Sequence, residues 1–132
     1  MKLREYLRPD LIVLDLEARN GAEAIRMLVR GVAERKAVAD PAAIEKALLA
    51  REAVHTTAMG NGVAVPHATV AGLDGPVVMV AVARDGVRYG PADLEPVRLL
   101  FLLLSPPEHA GLHIKLLARI ARLVRHPGLA ER

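Results

Sequence analysis

Five histidines and no cysteine bound the chemistry open to this 132-residue chain. Without a thiol there is no disulfide framework, no thiolate metal site and no cysteine nucleophile. Histidine is then the nucleophile to look for at neutral pH. Three residues break the pattern around them. His67 follows Pro66 at the end of an extended segment, just after a turn built on Gly60 and Gly62. Open α/β sheets place their sites at strand ends, and the two glycines allow close backbone approach with N–H groups turned toward an anion. His113 begins the apolar stripe His113, Leu116, Leu117, Ile120, Val124, and His109 lies four residues earlier on the same face. Arg51 stands seven residues after Ile44 and so continues the stripe Ile44, Ala47, Leu48. Each residue also has a plainer reading. Arg51 can run its stem along apolar surface into solvent, and each imidazole can be a satisfied boundary or surface residue.

Other chemistries have weaker support in the residues. His109 and His113 have the i, i+4 spacing of two zinc ligands, with His67 or His55 as a third. Ala110, however, stands where the metalloprotease helix needs Glu. The glycine turn is not followed by Gly-Lys-Ser/Thr, and neither G-x-S-x-G nor G-x-G-x-x-G occurs. No metal and no cofactor are expected. The net charge is +3, but the arginines are spread among Asp and Glu. The densest group, Lys115, Arg119, Arg122 and Arg125, sits near a helix end, where the macrodipole favours cations. With 2% aromatic residues the chain lacks stacking platforms for bases, so no nucleic-acid partner is expected. The first ten residues carry no apolar signal core. The longest apolar run, 99–104, is too short to cross a bilayer. The expectation is a cytoplasmic chain with no membrane insertion.

The elements that must hold these residues follow from local signals. Residues 11–14 read as a first strand. Asn20 with Glu23 three residues on is a capping box, and Ile25, Leu28, Val29 and Val32 follow at helical spacing, which predicts a helix over 20–35. Asp40-Pro41 is an N-cap followed by proline at the first helical position, opening a helix that ends near 51–54. Residues 63–66 are extended, with Pro66 at a strand end or sheet edge. Residues 77–83 read as a buried strand and Asp85-Gly86 as a hairpin turn. Residues 97–104, apolar at nearly every position, read as a central strand covered by helices on both faces. A last helix is expected over 108–125, closed by Pro127-Gly128. The fold class is therefore α/β: a mixed sheet of about four to five strands sandwiched between helices.

The segment Arg51-Glu52, then Thr57, then Gly60-Asn61-Gly62-Val63-Ala64-Val65-Pro66-His67-Ala68 resembles the active-site signature of the fructose/mannitol-type IIA proteins of the bacterial sugar phosphotransferase system, whose nitrogen-regulatory members share it. The resemblance continues through His113-Ile114-Lys115-Leu116-Leu117-Ala118. It implies that His67 accepts a phosphoryl group from the phosphohistidine of the carrier HPr or its nitrogen-branch relative. It further implies that His113 is the second active-site histidine and Arg51 the active-site arginine. On this reading Thr57, Gly60 and Gly62 help to bind the phosphate. Alternatives from other classes are a regulatory binding module of the same fold and a histidine-based metal-binding protein. Ala58 stands where members usually have Gly, and members commonly continue past this C-terminus with one more helix. The expectation is a single domain over 1–132 without that helix, open to self-association. In fructose and mannitol systems the next acceptor, the IIB component, resembles a small domain that uses a cysteine. This chain has none, so the expectation is that a group on His67 leaves to a separate IIB partner or a regulatory target, or stays as a signal.

Overall fold

The computed structural model describes residues 7–34, 40–54, 58–60, 62–73, 75–89 and 96–124. The elements run β1 (Leu7–Val13), α1 (Gly21–Glu34), α2 (Pro41–Val54), β2 (Ala58–Gly60), β3 (Val63–Ala64), β4 (His67–Thr69), β5 (Val77–Val87), β6 (Val97–Ser105) and α3 (Ala110–Val124). Both early helices start where their side chains dictate. The Glu23 N–H donates to Asn20 Oδ1 at 2.9 Å, and the Ala43 N–H to Asp40 Oδ1 at 3.2 Å. Each bond satisfies one of the orphan donors of a helix's first turn.

β6 is the centre of a mixed sheet. β5 lies antiparallel on one side of it, and β3 and then β4 lie parallel along the other. β1 pairs in parallel with the far side of β5, and β2 pairs antiparallel with β3. Side chains alternate across β6, as the pleat requires. Leu100, Leu102 and Leu104 enter the main core with Ile25, Leu28, Ile44 and Leu48 from α1 and α2. Phe101 packs instead with Val63, Val65 and Ile120, and Leu103 with Val78 and Leu116, beneath α3. The uninterrupted apolar run is thus explained by helices on both faces. None of the described helices is long and apolar enough to cross a membrane.

Several boundaries differ from the sequence reading. The glycine-rich stretch divides into three short strands, β2 to β4, so the sheet has six strands among the described residues. Pro66 supplies no ladder N–H, so it interrupts the run, and His67 opens β4 rather than closing the strand before it. β1 covers Leu7–Val13 and excludes Leu14. Glu108 lies in a 3-10 turn, Pro107–His109, ahead of α3. Ala47 is exposed, because the inward face of α2 turns toward Glu45 and Glu52. That rotation suits a helix that packs on α1 as well as on the sheet, with Arg26 3.5 Å from Glu45. Thr57, Arg35 and Pro127-Gly128 lie outside the described residues.

Asp85-Gly86 is not the hairpin turn. β5 runs on to Val87, and its register with β6 passes from Val82↔Leu99 to Val87↔Val97. Five residues of β5 therefore advance against two of β6, which makes an irregular bulge. Gly86 sits in it at φ +80°. Asp-Gly supplies the positive φ that either a turn or a bulge can use, and strand pairing decides between them. A Cβ at Gly86 would meet Pro96 Cβ at 2.7 Å. Gly86→Ala is expected to cost about 1–3 kcal/mol through strain and contact. Urea unfolding measures this, and a variant as stable as the parent would show that the bulge yields freely.

Candidate functional site

β4 and α3 bring two imidazoles together on the α3 side of the sheet. His67 pairs with Leu103 as β4 runs parallel to β6. Ala68, its neighbour, packs into the core on the opposite face. His113 lies in the first turn of α3, held down by Leu116 and Ile120, both fully buried. The ring centroids are 5.7 Å apart and the planes tilt by 53°. The two histidines, 46 positions apart in sequence, form one half-buried cluster.

The His67 ring is oriented by its own backbone. Nδ1 lies 2.7 Å from the Val65 carbonyl oxygen. A carbonyl can only accept, so Nδ1 carries the proton and donates it. The unprotonated nitrogen of the neutral ring is then Nε2, and its lone pair is available for attack. Pro66 makes this geometry: it sets the bend between β3 and β4 while its carbonyl accepts the Leu103 N–H at 3.0 Å.

His113 is bonded through Nδ1 to the Ser105 hydroxyl, at the last position of β6. Burial first, and the nearby His67 second, hold its pKa below the ordinary 6.5. The neutral ring is therefore the resting form near pH 7. The sign of the linkage follows. As pH falls through 6.5 the unfolded chain takes up this proton before the folded chain does. The stability this group contributes is present above 6.5 and is lost as pH falls from there through the folded pKa. In urea titrations at pH 7.5 and pH 5, the wild type is expected to lose more stability on acidification than His113→Gln. Equal losses in the two proteins would contradict it.

The other expected site residues take different places. Arg51 is half-buried in the last turn of α2, a helix that contacts β4. Its neighbour Glu52 accepts the Tyr89 hydroxyl at 2.7 Å, which ties the end of α2 to the segment after β5. Gly62 adopts φ +77°, and its carbonyl accepts the N–H groups of Arg98 and Leu99 at 2.8 and 3.1 Å. It anchors the turn to β6. Gly60 is the last residue of β2 and pairs with Val63. Thr57 and His55 fall outside the described residues. His109 stands at the end of the 3-10 turn with its Nδ1 buried and without a hydrogen-bond partner among the described residues. No group of three or more His, Asp and Glu side chains suited to a metal ion gathers among the described residues. Two participants were missed in the sequence, the Val65 carbonyl and Ser105. Ser105 closes an apolar run and precedes two prolines, which reads only as a strand terminator.

Over residues 5–132 the chain matches the family described as "Phosphoenolpyruvate-dependent sugar phosphotransferase system, EIIA 2". It is similar to a nitrogen regulatory protein of Bradyrhizobium diazoefficiens, with 34% identity over the whole of this chain and 86% of that protein. Its fold is similar to the crystal structure of the nitrogen regulatory protein IIA-Ntr from Neisseria meningitidis. The TM-score is 0.86 at 30% identity, over 96% of this chain and 86% of that one. It is also similar to the mannitol enzyme IIA of Escherichia coli, solved in complex with phosphorylated mannitol enzyme IIB. There the TM-score is 0.79 at 25% identity, over 96% of this chain and 86% of that one.

Proposed function

Because this chain belongs to the EIIA 2 family of the phosphoenolpyruvate-dependent sugar phosphotransferase system, we propose that it takes a phosphoryl group on Nε2 of His67 from the phosphohistidine of an HPr-like carrier. The observation that carries this reading is the bond from His67 Nδ1 to the Val65 carbonyl, with His113 alongside. In the transfer, the Nε2 lone pair forms a new P–N bond. The carrier's P–N bond breaks and its electron pair returns to the carrier's ring nitrogen. Phosphorylation leaves positive charge on the His67 ring, and the Val65 carbonyl accepts the Nδ1–H that shares it. Catalysis here is alignment and charge stabilisation, as phosphoryl transfer requires. His113 serves as a donor to the phosphoryl oxygens, and the N-terminal turn of α3 favours an anion at that end. Arg51, Thr57, Gly60 and Gly62 complete the phosphate-handling set in this reading.

The phosphoryl group then passes to a IIB partner, as the mannitol complex suggests, or acts as a signal, as the names of the nitrogen-regulatory relatives suggest. The test is incubation with labelled phosphoenolpyruvate and the general phosphotransferase proteins. The expected product is one acid-labile, alkali-stable phosphate per chain, and its absence would defeat the proposal.

A further inference from the structure

We propose that Ser105 is a positioning residue that decides which nitrogen of His113 carries the proton: its hydroxyl donates to Nδ1, so the neutral ring holds its proton on Nε2 and offers that N–H to the phosphoryl group. Ser105 is fully buried at the end of β6, in a core that is otherwise apolar among the described residues. Its hydroxyl bonds to His113 Nδ1 and to nothing else among the described residues. Its carbonyl is already engaged, accepting the Val70 N–H at 2.8 Å.

That single partner settles the direction. If His113 Nδ1 were the donor, the serine proton would be buried with no acceptor among the described residues, an arrangement folded proteins avoid. If the hydroxyl donates, Nδ1 is the bare nitrogen and the proton stands on Nε2. Burial and the nearby His67 keep the ring neutral, in agreement with this arrangement. The cluster then holds two complementary tautomers. His67, tied through Nδ1–H to a carbonyl, exposes a lone pair, while His113, tied through a bare Nδ1 to a hydroxyl, exposes an N–H. One ring is set to attack and the other to donate, although the two are the same residue type.

The role in transfer rests on the reading of His67 as the phosphoryl acceptor, but the tautomer does not. The experiment therefore reads both. In ¹⁵N-histidine-labelled full chain above the His113 titration, wild-type His113 is expected to show a bare Nδ1 and a protonated Nε2. In Ser105→Ala, two tautomers are expected to appear, and phosphoryl incorporation to slow about tenfold. A wild-type His113 with its proton on Nδ1 would overturn the proposal. So would a Ser105→Ala protein that keeps a single Nε2–H tautomer. If that variant does not fold, the wild-type spectrum alone decides. A wild-type chain that takes no phosphate defeats the reading of His67 and leaves the tautomer assignment standing.

Discussion

His67→Ala is expected to take no label from phosphoenolpyruvate through the general phosphotransferase proteins, a loss of roughly a thousandfold or more. Few single changes should have so large an effect, because in the proposed transfer the variant removes the atom that forms the new bond. His113 does not replace it. Its Nδ1 is taken up by the buried Ser105 hydroxyl, and its ring hangs from α3 rather than from the strand edge. The fold is expected to survive. His67 is half-buried at the first position of β4, and its backbone pairing with β6 involves no side-chain atom. A change in stability within about 1 kcal/mol is expected, measured by urea unfolding of the same preparation. Full labelling of a folded His67→Ala protein would remove His67 from the mechanism and move the search to the other histidines.

What could be read without the structure divides by the range of the interaction. Asn20 with Glu23, and Asp40 with Pro41, act within one helical turn, so the helix starts were legible and both caps form. The run from Leu99 to Leu104 was legible for a similar reason. A strand apolar on both faces has few homes other than the middle of a covered sheet. Asp85-Gly86 misled, because a positive φ serves a bulge and a turn alike and the choice lies with β6, ten or more residues away. Ala47 misled because a small residue at the margin of a stripe goes wherever the second helix contact rotates it. Within the site, the two histidines stood out as residues out of keeping with their surroundings. Ser105 did not, since a serine after an apolar run has an ordinary local explanation. Its partner is eight positions away in a separate element, and only packing brings them together.

Leu102→Ala is expected to destabilise the protein by about 3 kcal/mol, with a fall in melting temperature of roughly 10 °C for a domain of this size. Leu102 is fully buried, opposite Met79 on β5, between Leu100 and Leu104 on the face covered by α1 and α2. Truncation there opens a void that several elements would have to shift to fill. Ile114, on the outer face of α3 and 67% exposed, provides the comparison. Ile114→Ala is expected to stay within about 0.5 kcal/mol of the wild type. A Leu102→Ala protein melting within a degree or two of the wild type would mean that the two layers close over the gap. The function should respond differently from the stability. β6 sets the site through its backbone, since the Leu103 pairing fixes His67 and the chain direction at Ser105 fixes the hydroxyl under His113. Those groups lie on the face away from the Leu102 side chain. Below its melting range, the folded fraction of Leu102→Ala should therefore take up phosphate at the wild-type rate. On this proposal the face of β6 toward α1 and α2 carries packing, while the face toward α3 carries packing through Phe101 and Leu103 and the transfer chemistry as well.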